Sequence, residues 1–486
     1  MKLSIHLLIA TLLFYGSLLL APHKVVMFFF CFIYFFVLWR LMRDFRQALM
    51  TIYLTLTPII VGKLFAIDLV SAQELNIIGR DFGIAADIMI TVSDLIVVCM
   101  GIVLISERIR GTLSYRRFPL LEACLFLYAV GSMVATIFGS VRPEISIFHA
   151  LFAVRPMIIY YFFASSRAIP LATVIAVGAG WLFFETFMVG IQMLRGGSLG
   201  LVVEPIANYV SVDLSLEAGR LLRYGGTYMH ANALANALLV PIFMVLPVVF
   251  YPFEKKGKWF AMCLFFGLLT LVLTMSRSSW LSLGVAAVCC YYVAKRLWGQ
   301  IFVLQVKLSV LQRAIVTMAL IGLVMLMMPR LLSTVSTGGL YGSWETRVLL
   351  FEEYLQPIGV YPYFGVGLEM DVYHQYLRSL IYGDRDIDAP NRAVLLYFPE
   401  PVHNGFLRLI VQAGVVGALP YIAVYGLLFG LAWKNMKQAS SEPHRLLALS
   451  LVGMFIAVGV NGFLQPILPD LPLLIALTML YLPHKI

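Results

Sequence analysis

Apolar segments of membrane-spanning length recur along the whole chain and are separated by polar connections. A helix needs about 20 apolar residues to cross the hydrocarbon core of a bilayer, and by that measure the sequence predicts about fourteen spans. Their approximate ranges are 3–21, 25–40, 49–70, 84–105, 119–138, 146–165, 170–193, 230–250, 259–275, 279–296, 311–329, 404–432, 446–463 and 470–483. The pattern therefore predicts an all-α polytopic membrane protein with a large, partly helical loop.

Composition supports the same fold class. Hydrophobic residues make up 61% of the 486 residues and charged residues 12%, and the mean hydropathy is +0.91, whereas a soluble domain averages about 25% charged residues. No polar region is long enough to fold alone, so residues 1–486 are interpreted as a single membrane domain. All six cysteines lie in apolar segments, which argues against a disulfide framework and against a cysteine-based metal site.

The first apolar segment, residues 3–21, follows one basic residue and resembles a signal peptide. Leu19 stands where a cleavage site after Ala21 would need a small residue. We therefore expect an uncleaved first span.

Alternate connections between the spans are short and basic. By the positive-inside rule, these connections face the cytoplasm, which places both termini on that side. The net charge of +10 mostly follows from this asymmetry and does not indicate nucleic-acid binding. The basic residues concerned are Arg40, Arg43, Arg46, Arg108, Arg110, Arg116, Arg117, Lys255, Lys256, Lys258, Lys295, Arg296, Lys307, Arg313, Lys434, Lys437 and Arg445.

The remaining connections then face outward, and they include the two longest, 194–229 and 330–403. Loops of this length are usually functional or disordered. Within the second loop, the segment GSWETRVLLFEEYLQP predicts a helix that Ser343 caps and Pro357 ends. One face of this helix is apolar and is expected to pack on the membrane domain or at its interface. That face consists of Trp344, Val348, Phe351 and Leu355.

Three polar motifs fall at the outward start of a predicted span: RYGGTYMHANALANALL, TMSRSSWLSLG and PVHNGFLRL. Helix N-termini offer unpaired N–H groups and partial positive charge, and arginine binds phosphate oxygens with two parallel hydrogen bonds. Together the motifs predict a site for a phosphate or pyrophosphate. Their candidate residues are Arg223, His230, Asn232, Ser276, Arg277, Ser278, His403 and Asn404.

Arginine supplies the positive charge of the two long outer connections, since no lysine occurs in 195–229 or 330–403. We favour a phosphate-binding role for Arg223, Arg277 and Arg347. Three other arginines are interpreted as snorkelling or as paired with nearby acidic residues. These are Arg378, Arg385 and Arg392.

Arg155 lies about nine residues into the span predicted at 146–165, roughly 13 Å deep at ~1.5 Å per residue. An ionisable residue at such depth is a functional candidate by default. Two interpretations stay open: a substrate-binding role, and a buried ion pair with Glu185 or another carboxylate. Arg408 is shallower and is interpreted as a structural neighbour of His403.

His403 stands at the end of the longest outer loop and is the candidate general base, because the ordinary pKa of histidine lies near neutral. His230 is a weaker candidate for the same task. Asn404 either orients His403 or caps the following span. No P-loop, H-E-x-x-H or G-x-S-x-G motif occurs, and the acidic turn 384–388 fails the calcium-loop pattern, so no metal and no cofactor is expected.

The order of these motifs resembles the O-antigen ligase and O-antigen polymerase superfamily. Arg-x-Gly-Gly with HAN comes first, then SRSSW, then a long outer loop with Trp344 and Arg347, then VHNGFLRLIVQAGVVG. The resemblance covers about residues 220–432, and the N-terminal spans, 1–193, carry no recognisable motif. The HAN triplet departs from the family pattern, which has proline before the asparagine, and this leaves the role of His230 open.

The resemblance implies a metal-independent, inverting glycosyltransferase of the GT-C type in the bacterial inner membrane, with its active site facing the periplasm. Its donor would be an oligosaccharide on undecaprenyl diphosphate, and its acceptor a hydroxyl of a second glycan or of lipid A core. Carried over by position, Arg223 and Arg277 would hold the pyrophosphate and Arg347 would complete the site. His403 would deprotonate the acceptor hydroxyl.

Within this family, a polymerase of O-antigen or exopolysaccharide is the favoured function, and an O-antigen ligase acting on lipid A core is the first alternative. A chain-length regulator is a candidate partner of the N-terminal spans. An alternative of another class is a membrane transporter or lipid-glycan flippase. Such a carrier should show paired broken spans in two related halves, with charges near the midplane, and the sequence shows no such halves.

Overall fold

The computed structural model describes residues 2–57, 62–65, 88–166, 169–201, 211–212, 222–228, 230–250, 257–299, 343–371 and 402–482. The N-terminal half of the described chain forms helices α1 (Lys2–Leu19), α2 (Lys24–Met42), α3 (Phe45–Leu56), α4 (Val92–Ile109), α5 (Pro119–Gly139), α6 (Pro143–Phe152), α7 (Arg155–Ser165) and α8 (Leu171–Arg195). The remainder forms α9 (Ala231–Val245), α10 (Pro247–Phe250), α11 (Gly257–Leu273), α12 (Arg277–Trp298), α13 (Ser343–Val360), α14 (Gly405–Gln438), α15 (Glu442–Leu464) and α16 (Leu471–Tyr481).

Six segments of the described chain are helical, long and apolar enough to cross a bilayer, and four further apolar helices are shorter. This confirms the predicted all-α polytopic membrane fold. The six candidate spans are Lys24–Met42, Pro119–Gly139, Ser146–Ser165, Leu171–Arg195, Gly405–Gln438 and Glu442–Leu464. The predicted span 311–329 lies outside the described residues.

Two short antiparallel strand pairs accompany the helices. Strand β1 (Gly62–Phe65) pairs with β2 (Ile88–Thr91), and β3 (Ser211–Val212) pairs with β4 (Leu222–Arg223). The single helix predicted at 49–70 is therefore wrong, because α3 ends at Leu56 and the chain continues into β1. Hydropathy predicts the apolar character of this stretch but not its change of secondary structure.

Two other predicted spans are interrupted, and each interruption is followed by proline. The span predicted at 146–165 divides into α6 and α7 at Ala153 and Val154, directly before Arg155 and Pro156. The span predicted at 230–250 divides into α9 and α10 before Pro247. Proline has no N–H to donate, and its ring collides with the carbonyl four residues earlier, so a helix readily breaks there.

Helix α5 packs closely along α14 because both carry small residues at the contact. A Cβ added to Gly131 would come within 2.5 Å of the carbonyl oxygen of Val416, and one added to Gly417 would lie 3.8 Å from the backbone nitrogen of Ser132. Without a hydrophobic driving force in lipid, helices associate through such close van der Waals packing.

The predicted helix in the large outer loop exists, but its predicted end is wrong. Helix α13 continues through Pro357 to Val360. Phe351 and Leu355 are exposed, whereas Tyr354 is buried. The face that packs inward is therefore the one centred on Tyr354, whose hydroxyl donates a hydrogen bond to Asp371 inside the protein.

Connections that were predicted to face the cytoplasm contact one another at one end of the molecule. Arg46 lies in the first turn of α3. It forms a 3.0 Å ion pair with Glu107 of α4 and donates a 2.6 Å hydrogen bond to the Ser165 hydroxyl of α7. Arg116 donates a 3.0 Å hydrogen bond to the Met479 carbonyl of α16. Connections assigned to one side by charge thus share one end of the bundle.

Candidate functional site

The Gly-Gly turn after β4 is held against α8 by two buried polar side chains. The carboxylate of Glu185 accepts hydrogen bonds from the backbone N–H and the hydroxyl of Thr227. Gln192 accepts from the N–H of Gly226 at 3.0 Å and donates to its carbonyl at 2.8 Å. Gly226 has a φ of +59°, and a Cβ there would collide with the Glu185 carboxylate. Only glycine fits, so the turn and the preceding arginine are fixed in place.

Arg223 is the residue that this turn positions. Its side chain is buried, with an exposed fraction of 8%. The Nε atom donates to the Thr274 carbonyl at 3.0 Å, and Nη2 donates to the side-chain oxygen of Asn232. Burial and the neighbouring positive charge of Arg277 lower the pKa of Arg223 to about 10. The guanidinium therefore remains charged at neutral pH, beside a second guanidinium.

Arg277 reaches this position because the connection between α11 and α12 is very tight. Met275 adopts a φ of +54°, and Ser276 is extended, so that α12 begins at Arg277. A positive φ is uncommon for a residue with a side chain, and the Thr274 hydroxyl supports the turn by accepting from the Ser276 N–H at 3.3 Å. The Ser276 hydroxyl lies 3.2 Å from the hydroxyls of both Ser278 and Ser279.

His230 and Asn232 form the start of α9. His230 is the N-cap residue, and its Nδ1 accepts from the Asn232 N–H at 3.0 Å. Burial and the charge of Arg223 lower the pKa of His230 to about 4, so its imidazole is neutral at neutral pH. These contacts give His230 the role of a cap that orients Asn232, which in turn holds Arg223.

A chain of buried polar side chains ties the start of α12 to α15 and α9. The Ser279 hydroxyl donates to Asn461 at 3.2 Å, and Asn461 donates to Asn236 at 2.7 Å. Gln465, just after α15, donates to the Ser278 hydroxyl. These hydrogen bonds hold the start of α12 against α15 and α9, and the side-chain oxygen of Gln465 has no hydrogen-bond partner among the described residues.

His403 lies at the same end of the molecule as this chain. Asn404 is the N-cap of α14 and accepts from the Leu407 N–H at 3.0 Å, so it caps the helix as one of its two predicted roles. A Cβ on the next residue, Gly405, would come within 2.9 to 3.1 Å of the backbone of Ile467 and Leu468. The short segment 465–468 therefore contacts the starts of both α12 and α14.

Arg155 is held by a carboxylate, in contrast to Arg223. It forms a 2.8 Å ion pair with Asp94 of α4, and its guanidinium lies 3.6 Å from the centroid of the Phe152 ring. It also interacts electrostatically with Asp470, the N-cap of α16. The alternative partner Glu185 is wrong, since Glu185 bonds to Thr227, whereas a buried pair with another carboxylate is observed.

Several site residues were not predicted from the sequence. Glu185 and Gln192 shape the turn before His230. Because they are polar residues inside an apolar helix, the sequence alone could have marked them as candidates. Arg408 binds Asp371 and Glu369 of the preceding loop, and neither acid has a sequence motif. Arg347 lies on α13, but its side chain is outside the described part of the structure.

The site as a whole concentrates positive charge. The acceptors that hold Arg223 are a carbonyl and an amide, both neutral, and no carboxylate among the described residues forms an ion pair with Arg223. The N-terminus of α12, which adds partial positive charge, begins at Arg277 itself. Such a site attracts an anion with oxygens on more than one face, as a phosphate or pyrophosphate has.

Comparison with known proteins finds a related family over part of the chain. Residues 262–422 match the family described as O-Antigen ligase. A segment of 83 residues is 36% identical to an O-antigen ligase of Pseudomonas aeruginosa, which is 16% of this chain and 20% of that protein. The alignment thus spans about a fifth of the curated relative it matches. These matches confirm the resemblance to the O-antigen ligase and polymerase superfamily.

Proposed function

We propose that this protein is a membrane glycosyltransferase that transfers an undecaprenyl-diphosphate-linked glycan to an acceptor hydroxyl during assembly of a surface polysaccharide. The single observation that carries the proposal is the placement of Arg223, whose Nε atom donates to the Thr274 carbonyl three residues before Arg277, where the charges of the two guanidiniums act on each other. Two like charges stay close only at a cost, and a bound diphosphate offsets it. The family match over residues 262–422, which include Arg277 and His403, supports the same chemistry.

The donor pyrophosphate is assigned to the arginine pair. Arg277 and the hydroxyl of Ser276 approach it from the start of α12, and Arg223 approaches from the turn beside α8. Arg347 is assigned to the same diphosphate from the large loop. Asn232 and His230 contribute by holding Arg223 in its orientation, as their hydrogen bonds indicate.

His403 is proposed as the general base. The acceptor oxygen forms a bond to the anomeric carbon of the donor glycan, while the bond from that carbon to the pyrophosphate oxygen breaks. The acceptor proton passes to His403, and the pyrophosphate leaves with the electron pair. A single displacement of this kind inverts the configuration at the anomeric carbon. Asn404 fixes the backbone next to His403 through its cap of α14.

The reaction is proposed to need no metal. A lipid pyrophosphate is already a good leaving group, so positioning and charge stabilisation supply most of the catalysis. The negative charge that develops on the departing pyrophosphate lies where fixed arginines are most effective. Activity that survives chelation with EDTA is therefore expected, and its loss in EDTA would contradict this part of the proposal.

The favoured function is a polymerase, whose acceptor is a second lipid-linked glycan, and the alternative is a ligase to lipid A core. Arg155 remains a candidate contact for the glycan portion of a substrate. The proposed location is the bacterial inner membrane, with both termini in the cytoplasm and the site open to the periplasm.

Reconstitution separates the candidate functions. The purified protein in liposomes would receive an undecaprenyl diphosphate glycan, either alone or with lipid A core. Longer lipid-linked chains from the donor alone are the expected result and indicate a polymerase. Product only in the presence of lipid A core would indicate a ligase. Movement of the glycan lipid across the bilayer without any new glycosidic bond would contradict the enzymatic proposal and favour a flippase.

A further inference from the structure

Helix α14, whose start carries His403, is broken inside the span. Gly414 has a φ of +58° and a ψ of −171°, a combination that is essentially restricted to glycine. The break lies roughly 10 to 16 Å from the first residue of the helix at ~1.5 Å per residue. Irregular backbone at such depth is tolerated only where the protein itself satisfies its polar groups.

The segment that follows α13 fills this break. The N–H groups of Val366 and Gly367 donate to the carbonyls of Val411 and Gln412, both at 2.9 Å. In return, the N–H group of Val415 donates to the carbonyl of Pro362 at 3.0 Å. The middle of the large outer loop is therefore paired with the helix that follows His403, as a short stretch of hydrogen-bonded backbone.

Asp371 closes the same segment and joins three elements through one carboxylate. Tyr354 of α13 donates to it at 2.7 Å, Gln412 of α14 donates at 2.6 Å, and the Arg408 Nε atom donates at 2.8 Å. Arg408 also donates to Glu369 at 2.9 Å. We call Tyr354, Asp371, Arg408 and Gln412 the Asp371 cluster.

The cluster is ionic although it is enclosed by protein. Asp371 has an exposed fraction of 1%. Burial alone would raise the pKa of Asp371, but the charge of Arg408 and the hydrogen bonds of the cluster hold it below the usual value. Burial and the charge of Asp371 raise the pKa of Tyr354 well above its usual value, so its hydroxyl remains a donor. A buried ion pair contributes little net stability over apolar packing, so the cluster is better explained by the geometry that it imposes.

The cluster sets the position of the large loop relative to α14, and both of these contribute residues to the proposed site. Arg408 lies in the first turn of α14, and its N–H donates to the carbonyl of Asn404 at 2.9 Å, one residue from His403. Tyr354 lies two helical turns after Arg347 on α13. Asp371 thus connects the helix that presents Arg347 to the helix start that presents His403.

We propose that Asp371 is a positioning residue that sets the place of His403 relative to the large loop, by holding α13 and the segment 361–371 against α14. The inference rests on the proposed function of His403 as the base. The cluster contains neither Arg223 nor Arg277, two of the three arginines assigned to the donor pyrophosphate. Loss of the carboxylate charge should therefore lower kcat far more than it raises KM.

The test measures kcat and KM for an undecaprenyl diphosphate glycan with the full-length protein in liposomes. Asp371→Asn keeps the shape of the side chain and removes its charge, and Tyr354→Phe removes a single hydroxyl from the cluster. Misplacement of a reacting group by about 1 Å can lower a rate about 100-fold. We expect a 10- to 100-fold lower kcat for Asp371→Asn, a smaller loss for Tyr354→Phe, and a KM within about twofold of the wild type for both.

A matched control is available at the other end of the molecule. Glu107→Gln removes the charge from the ion pair of Arg46 with Glu107, which also joins separate helices and is also partly buried. This variant should retain kcat within about twofold. Equal losses of kcat for Glu107→Gln and Asp371→Asn would show a general effect of weakened helix packing and would overturn the positioning role.

Two other outcomes would also overturn the positioning role of Asp371. The first is a folded Asp371→Asn protein with unchanged kcat, and the second is a loss that appears only in KM. If Asp371→Asn does not fold, as judged by thermal unfolding in detergent, Tyr354→Phe decides by the same criteria. His403→Ala, measured alongside, separates this inference from the proposed function: an active His403→Ala protein refutes the base itself, whereas an inactive one with fully active cluster variants refutes the role of Asp371 alone.

Discussion

At the scale of single residues, the site depends on which polar groups hold each charge. Arg223 is held by a carbonyl and an amide, so its charge stays available, whereas Arg155 and Arg408 are matched by carboxylates. This distinction separates arginines that can bind an anion from arginines that organise the fold. Glu185 also organises the fold, because its carboxylate accepts a hydrogen bond from the Thr227 N–H and so fixes the turn that bears Arg223.

The two histidines can be distinguished by substitution with asparagine. Asparagine is a strong N-cap residue, so His230→Asn should keep the hydrogen bond to Asn232 and retain most of the transfer rate, as measured in the reconstituted assay. His403→Asn should lose the rate, since an amide cannot take a proton. A loss for His230→Asn as large as that for His403→Asn would contradict the capping role.

His230 also makes the stability of the folded protein depend on pH. The folded protein holds His230 neutral, with a pKa of about 4, whereas an unfolded histidine titrates near 6.5. The unfolded chain therefore binds more protons below pH 6.5, and the His230 contribution to stability falls as the pH is lowered from about 6.5 toward 4. Thermal unfolding of the wild type should be more sensitive to acid in this window than that of His230→Asn, and equal acid sensitivity would argue against the buried neutral imidazole.

At the scale of helices and strands, the site is shaped mainly by the points at which the helices are interrupted. The tight turn between α11 and α12 brings Arg277 beside Arg223, the break before α7 places Arg155 at a helix start, and the break in α14 receives the loop segment. Each interruption exposes backbone groups that a neighbouring element then satisfies. The proposed site residues Arg277 and Arg155 lie at such interruptions, where a span presents unpaired backbone groups to its surroundings.

The break in α14 can be tested at Gly414. A Cβ at this position meets the Tyr363 carbonyl and requires a strained backbone, which costs on the order of 1–3 kcal/mol. Gly414→Ala should lower the thermal unfolding temperature and the yield of folded protein. Gly426→Ala is the matched control on the same helix, because nothing lies within 4 Å of its added Cβ. Equal stability of the two variants would contradict the described break.

The sequence predicts the apolar helices and the motifs of the site better than it predicts their contacts. Hydropathy is a local sum, so most spans were located, and the cap by Asn404 follows from neighbouring residues alone. The continuation of α13 beyond Pro357 and the interruption before Arg155 depend on packing against other elements. The carboxylate partners of Arg155 and Arg408 lie 61 and 37 residues away in the chain, beyond the range of any local pattern.

At the scale of the whole molecule, the charged residues divide into two ends with different chemistry. One end holds the ion pair of Arg46 with Glu107 and the contact of Arg116 with the end of α16. The other end holds the arginine pair, the cap of α14 and the segment 465–468. This division matches the sides assigned from the basic connections and predicts that the arginine pair faces the periplasm.

Labelling of introduced cysteines tests the predicted orientation. In a variant without native cysteines, Arg195→Cys lies exposed at the end of α8 and Ser440→Cys lies exposed between α14 and α15. A membrane-impermeant maleimide applied to spheroplasts should label position 195 and leave position 440 unlabelled until the membrane is broken. The reverse order of labelling would place the proposed site in the cytoplasm and exclude a periplasmic transferase.

The central claim is that an arginine pair holds the donor pyrophosphate while His403 accepts the proton of the attacking hydroxyl. The most direct measurement is the initial rate of glycan extension in liposomes for the wild type, Arg277→Ala and His403→Ala, with equal amounts of folded, inserted protein. Loss of an electrostatic donor typically lowers kcat by about 10²–10³-fold, and loss of a general base by about 10²–10⁴-fold. The proposal predicts losses of this size for both variants, and wild-type rates of extension in both would contradict it.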